Sequence, residues 1–395
     1  MTCPFCGEKG ILDIEYDYDA MRKFVDIKYF KNQKDFSMWR YTPMMPVEIK
    51  HIDQMLKIGG TPLYRSNRLE KELNIKKLYI KDEGLNPSAS LKDRASGVAV
   101  LKAIESGYDT ISCSSTGNAA SSLACHAARM GLNTVIFVPK RAPIGKLNQL
   151  LIYGSQVISV DGDYKDTFNL SKLAINEYGW YNRNAAINPH LVEGKKTVAL
   201  EIAEQLEFSL TDWVAVSVGD GCTIAGVYKG FYDLLQLRLI KKIPKLLGVQ
   251  STGCSPFVDA YNNHEPLKEA QENTIADSIS VGIPRNPVKA MRAVEKSSGV
   301  WIAITDEQIL QSMKQLGSNE GIFGEPAGVA ALAGVKEAIK TGIIKKTETV
   351  TVIMTGNGLK DPLNAQKAVK APALVKPRLE DLKQIIEEKG EKRHA

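Results

Sequence analysis

Long apolar runs are missing from this sequence; none reaches the roughly eighteen residues that a membrane-crossing helix needs. Cysteine is scarce, six in 395 residues, with no dense framework, which excludes a disulfide-stapled scaffold and fits a reducing compartment. A surplus of one charge is nearly absent as well. The 51 Lys and Arg against 45 Asp and Glu leave a net charge of only +6. The basic residues do not cluster with aromatics, so a nucleic-acid surface is not indicated. The opening residues, Met1 to Cys6, lack the basic-then-apolar pattern of an export signal. A cytoplasmic protein is the expectation. One CxxC pair, Cys3-Pro4-Phe5-Cys6-Gly7, supplies two thiolates where a structural zinc wants four ligands. The other cysteines (Cys113, Cys125, Cys222, Cys254) stand singly, so no metal is expected. What remains is ordinary globular composition, 44% apolar and 24% charged, in a chain long enough for two or three domains.

Within that ordinary background, Asn86-Pro87-Ser88-Ala89-Ser90-Leu91-Lys92-Asp93-Arg94 stands out. A Pro and several small residues lead into a Lys at the mouth of a helix expected over Leu91–Ala103. A helix N-terminus suits an anion and penalises an ammonium. Lys92 is therefore either a solvated surface lysine or a residue wanted as a neutral amine, the form that condenses with carbonyls and with pyridoxal phosphate.

Around it the chain alternates short apolar runs with amphipathic stretches. Strands are expected at Lys77–Ile80, Thr110–Cys113, Thr134–Val138, Gln156–Val160, Val214–Val218, Leu246–Gln250, Val300–Ile304 and Val350–Met354. Helices are expected over Asn118–Met130, Gly145–Tyr153, Asp166–Tyr178, Thr197–Leu206 and Cys222–Leu237. A charged amphipathic helix is expected over Leu379–Glu391. Such alternation predicts an α/β protein whose parallel sheets are covered on both faces. The number of strands suggests two lobes rather than one open sheet.

In parallel sheets, ligands sit where strands end and helices begin, and three such loops are rich in small polar residues. Ser114-Ser115-Thr116-Gly117-Asn118-Ala119 offers hydroxyls and free N–H groups to a carboxylate, beyond what an N-cap needs. Gly219-Asp220-Gly221-Cys222-Thr223 lets backbone approach a phosphate at a helix start, although Asp220 would repel one unless turned away. It matches neither a Walker loop nor GxGxxG. Thr355-Gly356-Asn357-Gly358 ends a strand with a hydroxyl, a neutral donor for a ring nitrogen.

Taken with Gly59-Gly60-Thr61-Pro62-Leu63, Asn188-Pro189-His190, Glu193-Gly194-Lys195-Lys196-Thr197 and Glu320 to Ala327, these segments resemble, in order from Cys3 to Pro362, the threonine synthase branch of the fold-type II (tryptophan synthase β) pyridoxal-phosphate enzymes. The resemblance implies a two-domain fold with each lobe a mostly parallel sheet and the active site between them. It divides the chain into an N-terminal extension (1–40), a large cofactor-binding domain (41–96 and 206–372), a small mobile domain (97–205) and a C-terminal tail (373–395). It implies pyridoxal 5′-phosphate as cofactor and Lys92 as its Schiff-base lysine. Asn118 corresponds to the partner of the 3′-oxygen. Gly219, Asp220, Gly221, Cys222 and Thr223 correspond to the phosphate cradle, and Thr355 to the hydroxyl facing the pyridine nitrogen. Ser115, Thr116, Gly117 and Ala119 fall where the family binds the substrate. A small amino-acid substrate, a homodimer, and no nucleic-acid or membrane partner complete the expectation.

The pattern departs from the family at its substrate end. Ala119 replaces a usual Thr, Ala185 and Ala186 replace polar residues, Leu191 stands for an Arg, and the phosphate loop carries Asp220 and Cys222. The lysine motif has Ala89 and Leu91 where Gly and Phe are usual. The reading is a lyase performing elimination or replacement on a small amino acid, with the leaving-group pocket altered. Either the leaving group is not a phosphate, or the phosphate is bound differently, with Lys195, Lys196 or Arg285 as substitutes for the lost Arg. Threonine synthase proper, a cysteate-synthase-like or thiolase-like enzyme with a partner subunit, and a non-catalytic cofactor-binding subunit are the alternatives.

Overall fold

The computed structural model describes all residues except 1, 8–9, 141–143, 185–186, 384 and 387–395. Two sheets organise the described chain. The larger has six strands in the order β1-β2-β10-β7-β8-β9 and the smaller four in the order β5-β4-β3-β6. Their ranges are β1 Leu63–Arg65, β2 Lys77–Asp82, β3 Thr110–Ser114, β4 Asn133–Pro139, β5 Gln156–Val160, β6 Tyr181–Asn182, β7 Trp213–Ser217, β8 Lys245–Ser251, β9 Val300–Ile304 and β10 Thr349–Met354. Only β1 runs antiparallel, against β2; the remaining pairs are parallel.

The strand sequences explain this arrangement. Val214 and Val216 on β7, with Leu247 and Val249 on β8, are buried on both faces, as expected where helices cover each side of a parallel sheet. One apolar core joins the helix Lys92–Glu105, the small sheet and the helices His190–Gln205 and Cys222–Gln236. A second packs the helix Pro326–Lys340 on the other face of the large sheet.

Several expected elements lie within a residue or two of their observed bounds, and one differs more. The helix expected from Thr197 begins at His190, because Gly194 sits inside it rather than ending it. A Cβ at Gly194 would lie 2.2 Å from the Arg94 carbonyl oxygen, so this glycine is where two helices touch. Strand β6, two residues long, carries no readable alternation and was not expected. The C-terminal segment is helical at Leu379, and its end falls outside the described residues. Among the described residues no helix is long and apolar enough to cross a membrane.

Strands β2, β10 and β7 are neighbours and run the same way, with Asp82 opposite Met354 at their ends. Three of the loops singled out above therefore leave the same edge of one sheet side by side.

Candidate active site

The lysine loop is held before any ligand is considered. Asn86 accepts the Gly59 N–H at 2.9 Å and donates to Glu83 at 2.9 Å. Asp93 accepts the N–H and hydroxyl of Ser88 at 2.7 and 2.5 Å, and His126 lies 3.0 Å from it. Arg94 grips Glu83 with two bonds of 2.7 Å and meets Glu201 at 3.0 Å. These charges are fully buried and paired, which makes the flanks of Lys92 expensive to move. The loop is also zipped to the end of β10. Leu91 N–H donates to Thr355 O at 2.9 Å, and Asn357 N–H to Ala89 O at 3.0 Å.

Lys92 itself opens the helix Lys92–Glu105 and lines a cavity together with Asn118, Ala119, Thr355 and the loop Gly219–Thr223. Its ammonium is pushed below the usual lysine value by burial, and the Arg183 guanidinium adds to this. No ion pair to Lys92 is present among the described residues. Burial and the helix mouth both disfavour its charge.

The phosphate-type loop leaves β7 and opens the helix Cys222–Gln236, whose cap is Gly221 with φ +85° and no side-chain bond to the first turn. The first N–H groups therefore remain for a ligand. A Cβ at Gly221 would lie 2.7 Å from the Ala290 Cβ and 2.9 Å from Asn286 O, so the position accepts only glycine. Asp220 is partly drawn away, as its Oδ1 accepts the Arg285 N–H at 3.3 Å. A half-buried lysine without an ion pair among the described residues, lining one cavity with an uncapped, glycine-built helix start, is a donor set that fits pyridoxal phosphate.

The fourth loop arrives from the small sheet. Asn118, first residue of the helix Asn118–Met130, and Ala119 line the cavity. Ser115, Thr116 and Gly117 are half-buried beside it and are not among the lining residues. The Ser115 hydroxyl accepts the Gly117 N–H at 3.2 Å within its own turn.

The lining residues include three charged side chains given no cofactor role from sequence, Glu325, Arg183 and Lys195. Glu325 accepts the Asn118 amide at 2.7 Å, and burial raises its carboxyl to about 7. Gly356 makes room for it, since a Cβ there would lie 2.3 Å from Glu325 Oε1. Arg183 follows β6 and donates to Ser96 Oγ at 2.9 Å; β6 is too short to have pointed to it. Lys195, named only as a substitute cation, faces the cavity. The other two substitutes do not. Lys196 is paired with Glu193 and, at 2.7 Å, with Asp233. Arg285 stacks 4.3 Å over the Phe168 ring. Of the positions where the family pattern breaks, Leu191 is wholly buried in the core, and Ala185 and Ala186 lie outside the described residues. At the N-terminus, Cys3 and Cys6 are free thiols.

Residues 55–356 match the family model described as pyridoxal-phosphate dependent enzyme. The threonine synthase of Methanocaldococcus jannaschii is 40% identical over 392 residues, 98% of this chain and 95% of that protein. The threonine synthase of Methanosarcina acetivorans is 37% identical, over 98% of this chain and 94% of its own. Among solved structures, diaminopropionate ammonia lyase from Escherichia coli superposes with a TM-score of 0.70 at 21% identity, covering 87% of this chain and 96% of that one. Threonine deaminase isoform 2 from Solanum lycopersicum gives 0.68 at 19%, covering 92% and 96%. At these identities the two structures bear on the fold alone.

Proposed function

The chain belongs to the pyridoxal-phosphate dependent enzymes, in their threonine-synthase-like fold-type II branch, and from that premise we propose that it is a carbon–oxygen lyase acting on a phosphorylated γ-hydroxy amino acid. The named relatives are threonine synthases, and the reaction proposed is the one the family resemblance implies: O-phosphohomoserine and water give threonine and phosphate, the Cγ–O bond breaking and water adding at Cβ. When bound, pyridoxal phosphate supplies a carbonyl for an amine and an electron sink for charge developing at Cα. The observation that carries the reading is Lys92, a half-buried amine without an ion pair among the described residues, lining the cavity where the three loops of β2, β10 and β7 converge.

The residues divide the work as follows. Lys92 Nζ, its charge disfavoured by burial, is available to hold the cofactor and to take and return a proton at the substrate Cα. The N–H groups from Gly219 to Thr223, at an uncapped helix start, are assigned to the cofactor phosphate. Asn118, steadied by Glu325, is assigned to the ring oxygen, and the Thr355 hydroxyl to the ring nitrogen. A hydroxyl partner leaves that nitrogen a weaker sink than a carboxylate would, which favours elimination and replacement over transamination. Ser115, Thr116 and Gly117 are assigned to the substrate carboxylate at the rim, with Ala119 on the wall behind them.

All four strands of the small sheet fall between residues 110 and 182. This supports assigning 97–205 to a small domain against a large one of 41–96 and 206–372, flanked by an N-terminal extension (1–40) and a C-terminal tail (373–395). A cytoplasmic homodimer is part of the same proposal. A second reading, a leaving group other than phosphate, is favoured by the apolar Ala119, which lines the cavity. Phosphate release from O-phosphohomoserine by the purified protein separates the two. Turnover abolished in Lys92→Ala supports the proposal. No release, with turnover of a non-phosphorylated ester, replaces it with the second reading.

A further inference from the structure

Of the three substitute cations, Lys195 is the one that faces the cavity. It is 1% exposed, lines the cavity, and makes no hydrogen bond or ion pair among the described residues. Its neighbour Lys196 is equally buried but is neutralised by Glu193 and Asp233. Two adjacent buried ammoniums on one helix are thus treated differently, and only the one facing the cavity is left without an acid.

Its placement is specific. The helix His190–Gln205 packs on the helix Cys222–Gln236 at Gly226, where a Cβ would lie 2.9 Å from the Lys195 Cβ. The missing side chain lets the Lys195 stem run close along the partner helix, near its first turn. Burial pushes the ammonium down to about 8, with Lys92 and Arg183 acting in the same direction. The groups that favour its charge are the Cys222 thiol, itself raised by burial, and Asp220, already engaged with the Arg285 N–H. Glu325 lies on the same wall, bonded to Asn118. An ammonium at the positive end of a helix, beside two other cations, is electrostatically costly. A dianion among them reverses the sign of each of those interactions.

We infer that Lys195 binds a phosphate monoester dianion at the start of the Cys222–Gln236 helix. The inference rests on the proposed pyridoxal-phosphate site and deepens it. Two phosphates qualify, the cofactor's own and the one carried by the substrate.

The test compares wild type with Lys195→Gln, which removes the charge at similar size, and Lys195→Arg, which restores it. Apoenzyme is titrated with pyridoxal phosphate and with pyridoxal, and loaded enzyme with inorganic phosphate, followed by the cofactor absorbance and by tryptophan fluorescence. Loss of one charge-assisted contact corresponds to a weakening of about tenfold to a hundredfold. Weaker pyridoxal phosphate binding with unchanged pyridoxal binding, rescued by Arg, assigns Lys195 to the cofactor phosphate. Unchanged cofactor binding with weaker inorganic phosphate binding assigns it to the substrate phosphate. Unchanged affinity for both overturns the inference. If wild type binds both probes yet releases no phosphate from O-phosphohomoserine, the proposed reaction fails while the two titrations still decide the role of Lys195.

Discussion

Single positions carry much of the preparation for chemistry. Ala89 has φ +65°, in the left-handed region that costs a non-glycine residue roughly 1–2 kcal/mol. The family pattern has Gly there, and the strain is held by bonds from Ala89 N–H to Asn86 O and from Asn357 N–H to Ala89 O. Ala89→Gly is expected to stabilise the protein by about 1 kcal/mol, read from denaturant midpoints; destabilisation would contradict the strain assignment. Glu325 gives a pH dependence. Burial raises its carboxyl to about 7 from an ordinary value of 4.5, so the native state binds the extra proton in that window. Its contribution to stability is full below 4.5 and is lost as pH rises through 7. Relative to wild type, Glu325→Gln should therefore melt at a higher temperature at pH 7.5 than it does at pH 5. An equal difference at both values would show that Glu325 does not titrate as described. Neither effect was legible in sequence, where Glu325 was one letter in a motif and Ala89 a minor departure.

At the level of elements, alternation of apolar and amphipathic segments was enough to place the strands and helices that carry the site. The loops at the ends of β2, β7 and β10 were readable because small polar residues at those points exceed what turns require. What stayed hidden depends on contacts distant in sequence. Gly194 lies ahead of the helix start expected at Thr197, yet it is the crossing point of the helices Lys92–Glu105 and His190–Gln205. Gly194→Ala pushes a methyl against the Arg94 backbone, which cannot yield as a flexible side chain would. A loss of about 1–3 kcal/mol or more is expected, measured by thermal unfolding. A change within about 0.5 kcal/mol, the range of ordinary surface substitutions, would mean the helices separate freely. Arg183 was missed for a related reason, since β6 is defined only by its pairing with β3.

Across the whole molecule, the cavity collects cations. Lys92, Arg183 and Lys195 line it against Asp220 and Glu325, although the chain as a whole is close to charge balance. The ion pairs that hold its walls, Arg94 with Glu83 and Glu201, and Lys81 with Glu201 at 2.5 Å, are buried and compensated. The cavity's own lysines have no ion-pair partner among the described residues, and that contrast separates the scaffold from the site. The central claim is that Lys92 carries pyridoxal phosphate in a site that turns over an amino acid. The most direct measurement is the visible absorption spectrum of the purified, cofactor-loaded protein and of Lys92→Ala, titrated with amino acids and with O-phosphohomoserine. The account predicts a cofactor band that depends on Lys92 and shifts with the phosphorylated amino acid. A band that persists unchanged in Lys92→Ala, or no band after the cofactor is added, would contradict it.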